Sequence, residues 1–565
     1  MPEIVEPTLA YAQQRDREDE LQSFRSRFCF PQRSPATAAN APAPLTYFCG
    51  NSLGLQPRDA ETAIQQELAD WRNLAIDGYW HAKQPWMTYP KSMGNSLSKL
   101  AGCLEDEVTV MNALTVNLHL LLLTFYRPTQ QRYKILIEAG AFPSDQFAVE
   151  TQVAWYGRSP QQTIIEVAPR EGEKLIHEED LLTAIDREKD SLALVLLGGI
   201  NYYTGQLFDM ATITKAAHKA GALAGFDLAH AIGNAPLSLH DWGADFAVWC
   251  SYKYLNGGPG AAGGAFIHER HIKNPSLTRL GGWWGNDDMA RFQSDQHNLP
   301  TATTLASSAD SPGSGTNLST DTDPRPVTGT NPGPGTSPVA STTPVTNTTP
   351  GTGAGSVTST NPGTGANPGI GTNPATGTSP VTGTGPVAGT SPGAALVTGT
   401  SPVTDTSPDT DTNPGTGTSP VTGAGSGTST NPGAARTFIP KATAEGWSMS
   451  TAQVFNMVSL KTSLALFDEA GFDRLRKKSN ALTSYLYSLV SETGIQILTP
   501  AEPERRGAQL SLFFGDKGKS VQQRLAEAGI VVDYREPGVI RVSPVPLYNS
   551  FEDVYRFYHT LRQLS

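Results

Sequence analysis

Short apolar runs alternate along this chain with segments of helical period. Residues 133–138, 192–197, 223–226 and 246–250 are apolar runs of strand length. Between them, residues 147–156 and 213–220 have the spacing of amphipathic helices. Buried strands separated by helices predict a mostly parallel sheet with crossover connections. Later in the chain, residues 456–466 and 472–490 read as helices, and 509–514, 529–532 and 539–542 as strands. The predicted fold class is therefore α/β, a large domain with a mostly parallel sheet flanked by helices plus a smaller α+β domain. Residues 46–300 form the large domain, 438–565 its end and the small domain, and 1–45 an N-terminal segment belonging to the small domain.

Residues 301–437 break the pattern. These 137 residues contain no Lys, Glu, Phe, Trp or Tyr, and 43 of them are Gly or Pro. Such a segment buries too little apolar surface to offset its ordering entropy, so it is predicted to be a disordered insert. Gly-Thr-Ser-Pro recurs at 335, 377, 389, 399 and 417 without a fixed period, which excludes a solenoid. Loop-closure entropy grows slowly with length, so a fold tolerates an insertion of this size in a surface loop.

The formal charge of −11 gives no basic footprint for nucleic acid or an anionic membrane, and neither is expected as a partner. Cys29, Cys49, Cys103 and Cys250 are scattered, as suits a reducing compartment. The first residues are charged and lack an apolar signal core, and the longest apolar stretch, residues 118–125, is too short to span a bilayer. A cytoplasmic protein is the expectation.

In open α/β sheets, ligands gather beyond the carboxyl ends of the strands. Asp227 ends one predicted strand and Lys253 follows the next, so neighbouring strands would bring a carboxylate and an amine to one crevice. That pair suits a pyridine-ring cofactor: the carboxylate keeps the ring nitrogen protonated and the amine attaches the cofactor covalently. Taken alone, an Asp and a Lys default to a surface or salt-bridge role, and the strand-end context is what favours the cofactor reading. A phosphate would need N–H groups at a helix N-terminus. Asn112-Ala113-Leu114-Thr115, with Thr115 as a cap ahead of the apolar residues 116–125, offers one such place, and Phe142-Pro143-Ser144-Asp145 another. Ordinary helix capping would explain either.

The strings MNALTVNLHL (111–120), FPSD (142–145), YYTGQ (202–206), GFDLAHAIGN (225–234), WCSYKYLN (249–256) and IRVSPVPLYNSF (540–551) stand in this order. Together they resemble kynureninase, a fold-type-I pyridoxal-phosphate hydrolase related to the aminotransferases. The resemblance covers the chain outside the insert, from about Tyr47 onward. It implies hydrolysis of L-kynurenine or 3-hydroxy-L-kynurenine, pyridoxal 5′-phosphate as cofactor, and a homodimer sharing site residues. It implies that Lys253 carries the cofactor, that Tyr252 contacts the phosphate and donates a proton, and that Asp227 pairs with the ring nitrogen beside His230. Leu114 and Thr115 would hold the phosphate, and Phe142 would stack on the ring with Pro143, Ser144 and Asp145 completing that side. Trp283 would reach the phosphate from the second subunit. Arg541 would take the substrate carboxylate through its bidentate fork, with Ser52 and His81 also at the substrate.

Two positions depart from the family. Gly198 stands where a cofactor-contacting serine is common, and Thr451 where Gly-Trp-x-x-Ser is followed by an asparagine near the substrate ring. Both positions still count as cofactor-binding candidates, Thr451 with its substrate preference in doubt. An aminotransferase or cysteine desulfurase would share Lys253 and Asp227 without needing the FPSD and YYTGQ strings. A catalytically silent scaffold is disfavoured by the intact Lys253, Asp227, Tyr252 and Arg541. No metal is expected, because His230 and His240 have no Cys or carboxylate at ligand spacing.

Overall fold

The computed structural model describes residues 6–32, 44–292 and 438–564. The expected disordered insert lies outside the described residues.

Seven strands form the main sheet: β1 (Val108–Val110), β2 (Lys134–Glu138), β3 (Ile164–Val167), β4 (Leu192–Gly198), β5 (Leu223–Asp227), β6 (Phe246–Trp249) and β7 (Gly264–Ile267). Their order is β1-β7-β6-β5-β4-β2-β3. Strands β3, β2, β4, β5 and β6 pair in parallel, and β7 runs antiparallel to both its neighbours. The strand-length apolar runs are β2, β4, β5 and β6. Strands β1, β3 and β7 show no run of large apolar residues: β1 has three residues with Thr109 at its centre, β3 has only one buried position, and β7 opens with Gly264 and Ala265.

Side chains alternate across a pleated sheet, and both faces here are covered. Ile135, Ile137, Leu194 and Leu196 face one way, into a cluster with Leu118, Leu121, Leu122 and Phe125 of α2 (Leu114–Phe125) and Ala148, Val149 and Val153 of α3 (Pro143–Trp155). Leu136, Val195 and Leu197 face the other way, with Ile213 and Ala217 of α4 (Met210–Lys219) and Leu460 and Leu464 of α5 (Val458–Ala470). Burial on both faces is why these strands read as unbroken apolar runs.

A four-stranded antiparallel sheet lies later in the chain: β8 (Gln496–Ile497), β9 (Leu510–Phe513), β10 (Asp533–Arg535) and β11 (Val539–Val542), in the order β8-β9-β11-β10. Leu482, Leu486 and Leu489 of α6 (Phe472–Ser491) and Val554, Phe557 and Leu561 of α7 (Phe551–Leu564) share its core with Ala12 of α1 (Leu9–Arg17). Asp16 of α1 also accepts the Phe551 and Glu552 N–H groups at 2.7 and 3.0 Å, capping the start of α7.

The segments flanking the insert meet each other. Asn286 and Pro440 form an antiparallel bridge, Asp287 N donates to Ile439 O at 2.7 Å, and Lys441 N donates to Gly285 O at 2.9 Å. Residues 285–287 and 439–441 are thus joined by a short hydrogen-bonded neck. Among the described residues, no helix is long and apolar enough to cross a membrane.

Candidate active site

The carboxyl ends of β2, β4, β5 and β6 open into a cavity of about 190 Å³. Strands β5 and β6 are parallel neighbours, so Asp227 at the end of one and Lys253 just past the other reach the same space. Leu114, Thr115, Phe142, Ser144, Asp145, Gly198, His230 and Tyr252 line it as well.

Helix α2 starts two residues earlier than the sequence indicates, which corrects the expected role of Thr115. Ala113 occupies the N-cap and offers no side-chain acceptor, leaving Thr115 in the first turn. No side-chain cap covers the first N–H groups of α2, which are the donors an anion requires. Helix α3 likewise begins at Pro143, after an N-cap at Phe142 without a side-chain hydrogen bond.

The floor of the cavity is rich in carboxyl groups. Asp227 is buried and accepts the Ala229 N–H at 2.7 Å. Burial pushes the Asp227 pKa up, opposed by a hydrogen bond from Asp145 and by the Lys253 charge. Asp145 is raised well above the carboxylate range, by burial first and then by the Asp227 charge. The two therefore act as a carboxylic acid donating to a carboxylate. Glu138, the last residue of β2, accepts from the Gly198 N–H at 3.1 Å. Burial raises it to about 8, and the Gly198 N–H only partly offsets that. Lys253 Nζ sits 2.9 Å from His230 Nε2. Burial, and then the Lys253 charge, hold His230 well below its ordinary range. A neutral imidazole accepts the lysine proton, and its buried Nδ1 has no partner. Burial and Cys250 raise the Tyr252 hydroxyl, which stays protonated.

The other expected residues lie elsewhere. Arg541 is 1% exposed and sits behind the cavity, bonding through Nη1 to the carbonyl of Tyr202, a lining residue, at 2.8 Å. Ser52 accepts from Arg541 Nη2 at 3.1 Å. Pro143, His81, Trp283 and Thr451 are solvent-exposed and do not line the cavity. Trp283 and Thr451 belong to adjoining segments: a Cβ on Gly282 would lie 2.3 Å from Met449 Cα, so only glycine permits this approach.

Comparison with known proteins gives the same assignment. Residues 475–561 match the model of the kynureninase C-terminal domain, and residues 48–283 that of class-V aminotransferases. The chain is 38% identical over 563 residues to the kynureninase of Myxococcus xanthus (strain DK1622), covering 99% of this chain and 98% of that one. The chain belongs to the kynureninase family. The kynureninase of Flavobacterium psychrophilum is 36% identical over 566 residues, with 99% of each chain covered. Among solved structures, the cysteine desulfurase of Thermococcus onnurineus NA1 superposes with a TM-score of 0.56 at 13% identity, over 92% of this chain and 94% of that one. The cystine C–S lyase C-DES in complex with cysteine persulfide gives 0.57 at 13% identity, over 94% and 99%. At this identity they share the fold with this chain.

Kynureninases are pyridoxal-phosphate hydrolases that cleave a carbon–carbon bond, and the cavity fits that cofactor. It offers an uncapped helix N-terminus for a phosphate, an amine for attachment, a buried carboxylate for a protonated ring nitrogen and an orphaned His230 Nδ1. Sequence reasoning passed over Glu138, Ile200, Tyr202, Ala229 and Cys250, all in the lining. Glu138 carried the same signal as Asp227, an acid at the carboxyl end of a buried strand.

The fold also corrects one expectation about His240. Glu107, distant in sequence, places both carboxylate oxygens 3.0 Å from His240 Nδ1, and His268 Nδ1 is 3.6 Å away. The two imidazoles stack, 4.9 Å apart and inclined at 22°. The Glu107 oxygens also accept the Leu104 and Glu269 N–H groups at 2.9 and 2.7 Å. This cluster ties short helical turns together.

Proposed function

We propose that the Lys253 cavity hydrolyses L-kynurenine or its 3-hydroxy derivative to an anthranilate and L-alanine. The reading rests chiefly on one observation, the convergence of Lys253, Asp227 and the bare start of α2 on a single cavity. Leu114 and Thr115 hold the cofactor phosphate through the α2 N-terminus, and Phe142, Pro143 and Ser144 flank the ring. Asp227 faces the ring nitrogen as a carboxylate, kept in place by Asp145 and the Ala229 N–H. Bound pyridoxal phosphate supplies an electron sink. Lys253 holds the cofactor, yields it to the substrate amine, and then takes the Cα proton, with neutral His230 beside it as acceptor. Arg541, with Ser52 and His81, orients the substrate through its α-carboxylate. Tyr252, protonated, gives a proton to Cβ as the Cβ–Cγ bond breaks. The water oxygen ends in the aryl carboxylate.

The same proposal includes a homodimer in which Trp283 and Thr451 of one subunit complete the partner's site. Their exposure, and their absence from the lining of their own chain's cavity, support this. Gly198 leaves the ring face without a side chain, and Glu138 stands beside it. The division into residues 46–300, 438–565 and an N-terminal segment belongs to the proposal, as does a cytoplasmic location, which four free cysteines suit.

The test is product identity. Purified holoenzyme given L-kynurenine should release anthranilate and L-alanine in equal amounts. Transfer of the amino group to a keto acid, or sulfur release from cysteine without kynurenine cleavage, would replace this reading with another fold-type-I activity.

A further inference from the structure

Arg541 is held by one edge. Its Nη1 donates to the Tyr202 carbonyl at 2.8 Å, and its Nη2 to Ser52 Oγ at 3.1 Å and to Asp533 Oδ2 at 2.5 Å. Its Nε is buried and has no hydrogen-bond partner among the described residues. A buried guanidinium N–H without an acceptor is destabilising, so this donor is open to a ligand oxygen.

Sheet register builds the clamp. Arg541 of β11 lies directly opposite Asp533 of β10 on one side and Ser511 of β9 on the other. Asp533 is fixed in its turn: Arg535, two residues along β10, contacts it through Nε at 3.1 Å and Nη2 at 3.2 Å, and Ser52 Oγ donates to the same carboxylate. Burial opposes ionisation of Asp533, but the Arg541 charge, the hydrogen bonds from Ser52 and Arg541 and the Arg535 charge together outweigh it and hold the group below the usual carboxylate range. Two guanidinium groups around one carboxylate leave a single positive charge, which one monoanionic carboxylate neutralises.

We propose that Asp533 is a positioning residue for substrate binding, holding the Arg541 guanidinium so that its Nε–H faces the incoming α-carboxylate. This rests on the reading of Arg541 given above. Asp533 does not itself touch substrate. Removing it frees Arg541 to turn away and leaves two neighbouring guanidinium groups without their shared counter-ion.

The test compares Asp533→Ala, Asp533→Glu and Arg541→Lys in the full-length holoenzyme. Asp533→Ala should raise KM for L-kynurenine about 10-fold or more, as expected for losing a charge-assisted contact that orients the fork, with a smaller change in kcat. It should weaken L-alanine binding by a similar factor in calorimetry while leaving affinity for pyridoxal phosphate unchanged. Asp533→Glu should recover part of both losses. An unchanged or lower KM in Asp533→Ala overturns the inference, and so does a loss of cofactor affinity matching the loss of L-alanine affinity, which signals general disruption. If Arg541→Lys leaves KM unchanged, the carboxylate role of Arg541 fails first. If Arg541→Lys raises KM and Asp533→Ala does not, only the positioning role of Asp533 fails.

Discussion

The floor of the Lys253 cavity and its rim are built from opposite materials. Asp227, Glu138 and Lys253 stand at or just past the ends of buried strands, where the packing of both sheet faces fixes them. Trp283, His81 and Thr451 sit on exposed segments outside the strands and do not line their own chain's cavity. The floor is complete within one chain, with every carboxyl matched to a proton, an amine or a backbone N–H. The rim is complete only in the proposed dimer. Under that proposal, cofactor attachment depends on the fold of one subunit and substrate choice on the pairing of two.

The largest effect should follow from breaking the floor at Lys253. Lys253→Ala should stay folded, lose borohydride-dependent covalent fixation of the cofactor, and lose turnover by several orders of magnitude, as when a covalent catalytic group is deleted. Covalent fixation surviving in the variant would place the attachment elsewhere.

The second break tests the carboxyl-rich floor through pH. Glu138 has an ordinary value of 4.5 and about 8 in the folded chain. Between those pH values the folded state holds a proton that the unfolded state has lost, so this group makes stability fall as pH rises through the window and level off above about 8. Glu138→Gln removes that dependence. In the cofactor-free protein, its Tm relative to wild type should improve more at pH 8 than at pH 5, and equal offsets at both would remove Glu138 as the cause.

At the rim the effects should be smaller. Thr451→Asn adds an amide near the expected aryl site. It should shift the kcat/KM ratio of 3-hydroxykynurenine over kynurenine by about 2- to 10-fold, the worth of one net polar contact, without altering the cofactor spectrum. An unchanged ratio would falsify the idea that this position reads the ring substituent. The smallest effect belongs to the insert. Deleting residues 301–437 should leave cofactor binding and a cooperative melt intact, because the neck at Asn286 and Pro440 already closes the fold. An insoluble product would show that the insert contributes to folding.

The sequence revealed the floor and not the clamp, for a physical reason. An acid or amine at the end of an apolar run is visible in one dimension, so Asp227 and Lys253 stood out, and Glu138 carried the same mark. The contact of Asp533 with Arg541 depends on antiparallel register, and that of Glu107 with His240 on two short helical turns far apart in the chain. Neither leaves a local pattern. The α2 boundary was misplaced because Thr115 resembles a cap, whereas the actual N-cap is Ala113, which has no side-chain acceptor to signal itself. Strands β1, β3 and β7 interrupt their apolar residues with Thr109, Glu166 or Gly264 and Ala265, so no unbroken apolar run marks them.

The division between a one-chain floor and a two-chain rim is tested most directly by mixing two damaged subunits. Lys253→Ala keeps its rim and loses its floor, while Trp283→Ala keeps its floor and weakens the rim it lends. Unfolding and refolding the two together should give mixed dimers with one intact site each, and about a quarter of wild-type turnover if two-fold dimers pair at random. Activity no greater than the average of the two variants refolded separately would contradict the shared site and place Trp283 in the service of its own chain.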